Sequence, residues 1–483
     1  MVLKEKLTKL RECVWQLPKG AVKGMKVPSL LYLSKSLLEA VEEGSIEQIA
    51  NVATLPGIHK HSIALPDMHF GYGFPIGGVA ALDIKEGGLS PGGIGFDINC
   101  GVRVLRTNLM VDDVKGKVEP LVLEMFNNVP SGVGRGGKLR LGDSELREVL
   151  ETGARWAVKN GYGNERDLEH TESNGCITEA DANKVSNKAM DRGKPQIGTL
   201  GAGNHFLEVQ RVAEIYDPEV AKVFGIEKIG QVCFMIHTGS RGFGHQVCTD
   251  YIKTLETAFQ DIVKKLPDRE LVYAPAGTQE CEDYFKGMSC AANYAWCNRQ
   301  MIMHWVRESI LKVLGMKEED VGLELVYDVA HNIGKIEKHV IDGKERTVYM
   351  HRKGGTRAFG PGHPEIPQDY RDVGQPVLVP GDMGTASYIL VGTKQAEEET
   401  FSSVCHGAGR RMSRHAALRQ FRGEKVKQEL QQKGIFVKSA SWKGIAEEAP
   451  GVYKDIHEVV RVCEAAGISK TVVKLVPMGV MKG

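Results

Sequence analysis

Seven short apolar runs, each ending in turn-forming residues, constrain the fold of this chain more than any other feature. Runs of this length and setting predict buried β-strands. Between them, apolar residues recur at helical spacing in five segments. Because strands and helices alternate without the regular spacing of βαβ units, the sequence predicts a mixed α/β (α+β) fold with mixed and antiparallel sheets and peripheral helices. The strand-like runs are VAALD (79–83), VRVLR (102–106), QVCFMI (231–236), LELVYDV (323–329), PVLVP (376–380), SYILV (387–391) and TVVKLV (471–476), and the helical segments are 29–43, 143–156 with Asp143 as its cap, 246–265, 286–314 and 412–433.

Composition excludes several classes of protein. The chain has 483 residues and a net charge of +1, so any site for nucleic acid must be a local basic patch. No repeat or linker is present, and we expect a single domain over residues 1–483. The ten cysteines are scattered without a C-x-x-C pair, which argues against a zinc ribbon and favours a reducing, cytoplasmic compartment. No run of about 18 apolar residues predicts a membrane span.

Four histidines share one local pattern. His237 and His331 each follow a strand-like run and precede a turn, while His406 lies in CHGAGR and His205 lies in GAGNHFLE. A side chain at the carboxyl end of a buried strand projects into the crevice where α/β proteins place their sites. A single histidine of this kind is more often a structural residue held by hydrogen bonds. Four occurrences of the same pattern favour a shared function.

A fifth element, GFDINCGVR at 95–103, supplies Asp97 and Cys100 three residues apart in a glycine-bounded turn. A carboxylate, a thiolate and three imidazoles are too many ligands for one tetrahedral structural zinc. They suit a divalent first-row transition metal, and two ions sharing the thiolate would use all five. Paired ions of this kind are a recurring device in phosphoryl transfer.

Basic residues and glycines elsewhere point to phosphate. Arginines and a lysine lie in HRKGGTR (351–357), further arginines follow His406, and GSRGFGH (239–245) can form a backbone nest for an anion. GVGRGGKL (132–139) resembles a P-loop, but Leu139 stands where Ser or Thr must hold Mg²⁺. The lysine motif K-x-D-G of ordinary nucleotidyl-transferring ligases is absent. With five other residues available for metal, His406 is free to act as a covalent nucleophile on an α-phosphate.

Several motifs together resemble one known family, the RtcB-type RNA ligases. They are GFDINCGVR, GTLGAGNHFLE, MIHTGSRGFGHQ, YDVAHNI, HRKGGTRAF, PGDMGTASY and CHGAGR, and the resemblance runs nearly end to end. It implies an RtcB-like fold and a GTP-dependent ligase with two Mn²⁺ ions. Such an enzyme joins RNA 3′-phosphate or 2′,3′-cyclic phosphate ends to 5′-hydroxyl ends in tRNA splicing and RNA repair.

The resemblance also implies roles for particular residues. One ion would be held by Asp97, Cys100 and His205 and the other by Cys100, His237 and His331, while His406 would take up GMP and pass it to the RNA 3′-phosphate. The implied nucleotide pocket comprises Asn204, His205, Phe206, Leu207, Glu208, His331, Asn332, Pro380, Gly381, Asp382, Met383, Ser387, His406, Gly407, Ala408, Gly409, Tyr453 and Lys482.

Contacts with RNA and other partners complete the expectation. The candidates for the RNA backbone are Arg192, Lys353, Arg410 and Arg414, and Asp67 and His69 are placed either behind the site or facing RNA. The implied partners are tRNA halves and broken RNA ends, with no membrane, and we expect a monomer. Whether the activator protein archease is also a partner stays open.

Two other functions remain open at this point. A dinuclear metal-dependent phosphoesterase acting on RNA ends would use the same ligands with an activated water and form no covalent enzyme intermediate. A metal-stabilised RNA-binding protein would use them for stability alone.

Overall fold

The computed structural model describes residues 2–483 and contains nineteen strands and seventeen α-helices in that range. The strands are β1 (Thr8–Arg11), β2 (Val14–Leu17), β3 (Ser29–Tyr32), β4 (Ser62–His69), β5 (Ile76–Asp83), β6 (Gly88–Leu89), β7 (Gly101–Met110), β8 (Phe206–Ile215), β9 (Gln231–Thr238), β10 (Ala274–Pro275), β11 (Glu324–Ala330), β12 (Asn332–Ile341), β13 (Lys344–Lys353), β14 (Gly355–Arg357), β15 (Pro376–Val379), β16 (Ser387–Gly392), β17 (Ser403–Cys405), β18 (Phe436–Ser439) and β19 (Ser469–Lys482). The helices are α1 (Lys35–Ala40), α2 (Glu43–Val52), α3 (Val118–Asn128), α4 (Asp143–Thr152), α5 (Ala154–Lys159), α6 (Glu165–Glu169), α7 (Asn187–Gly193), α8 (Pro218–Val223), α9 (Arg241–Ala258), α10 (Gln260–Val263), α11 (Gln279–Leu314), α12 (Glu318–Val321), α13 (Lys394–Glu399), α14 (Arg414–Gln420), α15 (Gly423–Gln432), α16 (Trp442–Glu447) and α17 (Ile456–Ala465).

Two large sheets organise these elements. The first has the order β1-β2-β3-β4-β5-β13-β12 and is antiparallel except for the pair β3–β4. The second has the order β11-β7-β9-β8-β19-β16-β15, antiparallel throughout, with β18 added parallel to β19. This combination is the mixed α/β fold that the sequence predicts.

Helix α11 runs through the largest hydrophobic core cluster and supplies many of its residues. It begins at the side-chain cap Thr278 and ends at Gly315, whose φ of 65° is the left-handed conformation that glycine adopts at helix ends. Its central turns are buried even where they carry polar residues, including Arg299 and Gln300. Buried polar groups need partners, and those of Arg299 are found on the second sheet and its loops, at Asp328, Asn99 and Thr238.

A short two-stranded sheet connects the first large sheet to the segment that carries His406. Strand β14 follows β13 of the first sheet after one residue and pairs with β17, with Gly355 opposite Cys405. The chain leaves β17 directly at His406. The pairing of β17 with β14 therefore fixes the position of the backbone at His406.

All seven predicted strands are confirmed, as β5, β7, β9, β11, β15, β16 and β19, although Leu323 precedes β11 and Pro380 follows β15. The predicted helix at 286–314 is present within α11, which begins at Gln279. The predicted helix at 246–265 is divided into α9, which runs from Arg241 to Ala258, and the short helix α10, which runs from Gln260 to Val263. Helix α4 begins at Asp143 itself, with Gly142 at the cap position, and a break at Gly153 separates it from α5.

Two further helix predictions are wrong in part. Residues 29–32 form strand β3, whose four side chains are all buried, so burial on both faces hides the period-two pattern of a strand. A helix begins only at Lys35 and a second at Glu43. The segment 412–433 is two helices, α14 and α15, which are separated at Phe421 and Arg422.

In the part of the chain that the structure describes, no helix combines the length and the apolar character needed to cross a membrane. The prediction of a single domain over residues 1–483 stays a prediction.

Candidate functional site

Antiparallel pairing brings the predicted metal ligands to one edge of the second sheet. In the order β11-β7-β9-β8, neighbouring strands run in opposite directions, so the start of one lies beside the end of the next. Cys100 precedes β7 and His205 precedes β8, while His237 lies at the end of β9 and His331 directly follows β11. Four residues distant in sequence therefore meet because of strand direction.

The ligands form two groups that share one thiol. Asp97, Cys100 and His205 form one triad and Cys100, His237 and His331 the other, with the ligand atoms of each within 4.8 Å of one another. The Cys100 Sγ lies 3.2 Å from His237 Nε2 and 3.5 Å from His205 Nε2. His205 Nε2 is also 2.8 Å from Asp97 Oδ2. This arrangement can hold two ions with Cys100 between them.

Two of the three imidazoles, those of His205 and His331, are oriented by contacts to Nδ1, the ring nitrogen that faces away from the other ligands. His205 Nδ1 lies 3.0 Å from the Leu200 carbonyl oxygen, which accepts a hydrogen bond from Nδ1–H, while Nε2 faces Asp97 and Cys100. His331 Nδ1 lies 3.2 Å from Thr356 Oγ1. The Nε2 atom of His331 is buried and has no hydrogen-bond partner within residues 2–483. A bound cation would satisfy this nitrogen atom, so the residues fit a metal centre.

Burial sets the protonation of these ligands. It lowers the pKa of both His237 and His331 well below the ordinary histidine value, which keeps them in the neutral form that binds metal. Burial, together with the negative charge of Asp97, raises the pKa of the Cys100 thiol well above its ordinary value. A divalent cation supplies the positive charge that favours the thiolate.

A buried arginine fixes the turn that carries Cys100. Arg299 of α11 donates to both carboxylate oxygens of Asp328 at 2.8 Å. It also donates to the Asn99 carbonyl and side-chain oxygens at 2.8 and 2.9 Å, and to the Thr238 carbonyl oxygen at 3.0 Å. Asn99 has a φ of 52°, in the left-handed region. Arg299 thus ties the residue before Cys100 to the residue after His237.

His406 lies beside the second triad. Its ring centroid is 5.2 Å from that of His331. The Asp67 carboxylate makes a short contact with His406 Nδ1 and accepts from the His406 backbone N–H at 2.9 Å. With Nδ1 held as a donor to Asp67, the lone pair of Nε2 remains available as a nucleophile. Asp67 therefore lies behind the site, one of the two positions that the sequence left open.

A pocket opens in front of His406, and most of the predicted nucleotide residues line it. Those that do are Asn204, Phe206, Glu208, His331, Asn332, Pro380, Gly381, Asp382, Met383, His406, Gly407, Ala408, Gly409, Tyr453 and Lys482. Three predicted residues lie elsewhere. Leu207 is in the core, His205 belongs to the first triad, and Ser387 supports the pocket turn by accepting from the Gly381 N–H at 3.3 Å.

Two buried charged residues give the pocket its polarity. Burial raises the pKa of Glu208 to about 8, and the Gln210 amide donates to its Oε2 at 2.7 Å. Burial lowers the pKa of Lys482, whose Nζ is 3.9 Å from Glu448 Oε2. Glu208 and Lys482 therefore place a buried carboxyl group and a buried amine at the pocket wall.

Glu448 is a pocket residue that sequence reasoning missed. Its carboxylate accepts from Arg410 Nη1 at 3.0 Å and makes a short contact with the Tyr453 hydroxyl. Nothing in the local sequence marks it. Only the need of Arg410 and Lys482 for a counter-charge could have indicated it. Ile76 and His69 also line the pocket.

The predicted RNA contacts fall into three positions. Arg410 and Arg414 line the pocket, and the Arg414 side chain is half exposed. Arg192 lies near the start of α9 and donates to Gln246 Oε1 at 3.1 Å. Lys353 does not line the pocket. It is buried, donates to the Phe74 carbonyl oxygen at 3.2 Å, and has its pKa lowered by burial to about 7.

Fold and site together define a protein with a cysteine-bridged pair of candidate metal sites, a carboxylate-supported histidine and an adjoining polar pocket. A family model described as tRNA-splicing ligase RtcB matches residues 48–483. The chain belongs to this RtcB family.

Similar proteins extend over its whole length. A tRNA-splicing ligase RtcB of Archaeoglobus fulgidus is 58% identical over 99% of this chain and 99% of its own. Those of Thermococcus kodakarensis and Methanococcus maripaludis are 55% and 54% identical, covering 100% of this chain and 99% and 100% of their own.

The shared thiol predicts how metal stoichiometry responds to substitution. Wild-type protein should bind two divalent ions per chain, and Cys100→Ala should lose tight binding of both because it removes a ligand from each triad. Asp97→Ala should lose only one. Equilibrium dialysis with Mn²⁺ followed by metal analysis checks this, with Cys281→Ala, a buried cysteine outside both triads, as control. Two tightly bound ions in Cys100→Ala would contradict the bridging geometry.

The Arg299–Asn99 contact predicts a weaker metal site in Asn99→Gly. Glycine keeps the left-handed backbone but removes the acceptor of Arg299 and the donor to the Ala292 carbonyl oxygen. Loss of such supporting contacts typically lowers metal affinity about tenfold to 100-fold. A Co²⁺ titration followed by thiolate charge-transfer absorption measures it.

The control for Asn99→Gly is Asn293→Ala, which removes buried hydrogen bonds to Leu150 and Ile177 instead. Both variants should lose on the order of 1–3 kcal/mol of unfolding free energy. Only Asn99→Gly should bind Co²⁺ more weakly, and equal Co²⁺ affinity in the two variants would argue against a positioning role.

Proposed function

We propose that this protein is a GTP-dependent RNA ligase that joins RNA 3′-phosphate or 2′,3′-cyclic phosphate ends to 5′-hydroxyl ends in tRNA splicing and RNA repair. Membership of the RtcB family supports an RNA ligase. The observation that carries the mechanism is His406, whose Nδ1 is held by Asp67 beside the second triad and at the wall of the pocket. The substrates are tRNA halves and broken RNA ends. A monomeric state, cytoplasmic location and any role of archease stay predictions.

The two triads are the proposed sites for two Mn²⁺ ions. Asp97, Cys100 and His205 would hold one, and Cys100, His237 and His331 the other. When bound, such ions polarise phosphate oxygens and stabilise the charge that develops on a leaving group. The mixture of thiolate, imidazole and carboxylate suits a divalent first-row metal.

His406 carries the covalent chemistry. Its Nε2 attacks the α-phosphorus of GTP, a nitrogen–phosphorus bond forms, and the bond to pyrophosphate breaks. Asp67 keeps the proton on Nδ1 and stabilises the positive charge that the ring gains as Nε2 attacks. The RNA 3′-phosphate then takes GMP from His406, and the RNA 5′-hydroxyl attacks the activated phosphate and expels GMP. A cyclic phosphate must first be opened by hydrolysis.

Glu208 and Lys482 account for the choice of guanine. A carboxylate can accept from both N–H donors on the edge of guanine, and an ammonium can donate to its carbonyl oxygen. Adenine offers neither pattern. Both side chains are buried, so a mismatched base would leave them unpaired, which is the condition for strong discrimination.

The main alternative is a dinuclear phosphoesterase acting on RNA ends with a metal-activated water. It explains the triads but not a carboxylate-supported histidine at a separate pocket wall. A metal-stabilised RNA-binding protein likewise explains the triads, as stabilising sites, but not this histidine. The formation of a covalent nucleotide separates both alternatives from the ligase.

The ligase predicts that the protein becomes labelled by GTP through His406. With Mn²⁺ and α-labelled GTP, wild-type protein should retain acid-labile label after denaturation, and His406→Ala should retain none. His415→Ala, which alters an exposed histidine of α14, is the control and should label like wild type. Unlabelled wild-type protein would overturn the proposed function.

Glu208 predicts a pH dependence of GTP binding. Its pKa is raised to about 8, so below that pH the empty pocket holds a protonated acid that must lose its proton to accept from guanine. GTP affinity should therefore fall about tenfold per pH unit below 8 and level off above it. Binding is measured in the His406→Ala background, where no label transfer interferes.

In the same background, Glu208→Gln should bind GTP about 10- to 100-fold more weakly at pH 8, because a charged acceptor is lost, and should show a flatter pH profile. Glu214→Gln, an exposed carboxylate of β8, should behave like the parent. An unchanged slope in Glu208→Gln would assign the pH dependence to another group.

A further inference from the structure

The glycine-rich segment 130–141, which resembles a P-loop only in sequence, forms a basic loop beside the site. It carries Arg135, Lys138 and Arg140, all exposed, and contains no acidic residue. None of the three makes a salt bridge to any residue between 2 and 483. In a chain with a net charge of only +1, three uncompensated cations within six positions form a marked local patch.

This loop is attached to the segment that carries His205. The Gly132 N–H donates to the Gly201 carbonyl at 2.8 Å, and the Leu200 N–H donates to the Pro130 carbonyl at 3.0 Å. At the other end, the Leu141 N–H donates to the Lys194 carbonyl at 3.1 Å. Backbone bonds at both ends hold the basic loop against residues 194–201.

The same segment continues into the pocket. Two residues after Gly201 comes Gly203, against which the Arg414 guanidinium lies. The next residue, Asn204, lines the pocket. Residues 201–203 therefore connect the Arg414 side chain, which lines the pocket, to the basic loop. The outer part of the basic loop is anchored where Lys138 Nζ lies 4.4 Å from the centre of the Trp305 ring and donates to Asn128 at 2.7 Å.

We propose that the basic loop 130–141 binds the sugar-phosphate backbone of the substrate RNA, beyond the nucleotides that enter the pocket. This inference rests on the proposed function for the identity of the strand as RNA. Exposed cations with no protein counter-charge release bound counter-ions to phosphate and gain affinity without reading sequence. Gly136 and Gly137 separate Arg135 from Lys138, and glycine permits the varied backbone directions that contacts with an irregular single strand require.

The test compares two triple variants with equal loss of charge. The loop variant is Arg135→Gln/Lys138→Gln/Arg140→Gln. The control variant is Lys253→Gln/Lys264→Gln/Lys265→Gln, at exposed positions of α9 and just beyond α10. At about 1.5 Å per helical residue, Lys253 lies roughly 18 Å from the start of α9. Affinity is measured for a single-stranded RNA of ~30 nucleotides and one of ~4 nucleotides, both with 3′-phosphate ends, across a range of salt concentrations.

The loop variant should bind the longer RNA on the order of tenfold more weakly at about 0.1 M salt, and its log–log salt dependence should become shallower by up to about 2. Binding of the short RNA and labelling by GTP should match wild type, because neither reaches the loop. The control variant should match wild type in every measurement.

Wild-type affinity of the loop variant for the longer RNA would overturn the inference and reassign the loop to a partner other than RNA. An equal loss in the control variant would also overturn it, as a general charge effect. Arg135→Gln alone should show a smaller loss in the same direction, should the triple variant fold poorly. Failure of wild-type protein to label with GTP would overturn the proposed function while leaving the RNA-binding comparison decisive for the loop.

Discussion

The buried pair of Arg299 and Asp328 is the interaction on which the candidate metal centre depends. Both side chains are fully buried, and removing two charges from water is costly unless each is paired and hydrogen-bonded. Here the cost is offset by a bidentate contact and by donation to the backbone around Asn99 and Thr238. Arg103 donates to the same Asp328 carboxylate at 2.8 Å. These contacts therefore hold helix α11, the second sheet and the turn that carries Cys100 in fixed relative positions.

A second buried arginine–carboxylate pair positions the strand that precedes His406. Arg352 of β13 makes a bidentate contact with Glu337 at 2.6 and 2.8 Å. It also donates to Ser403 Oγ at 2.8 Å and to the Phe401 carbonyl oxygen at 3.0 Å. These contacts hold the start of β17, the strand that ends next to His406. The candidate metal ligands and His406 are thus positioned by separate arginine–carboxylate pairs.

The sequence was informative where a residue's role is visible in its immediate neighbours. Apolar runs ending at His237 and His331 predicted both the strands and the edge at which these side chains lie. It was uninformative where a role depends on a distant partner. Asp67 and His406 are far apart in sequence and make contact only in the folded chain. Glu448 balances the charges of Arg410 and Lys482, which are also distant from it in sequence. Lys353 shows a different limit. Adjacent basic residues in HRKGGTR suggest a phosphate site, but β13 is buried on both faces there, and Arg352 and Lys353 both point into protein.

The position of β19 has a consequence for how the molecule is made. Although it is the last strand of the chain, it lies in the middle of the second sheet, between β8 and β16. Until β19 is synthesised, β8 and β16 each have one edge whose backbone hydrogen-bonding groups are unpaired. Such edges are prone to pair with other chains. Long-range pairing of this kind is slow, so a ribosome-bound intermediate would depend on protection until residue 482 emerges. The same event that closes the sheet also delivers Lys482, so a truncated product would lack both a finished sheet and a finished pocket.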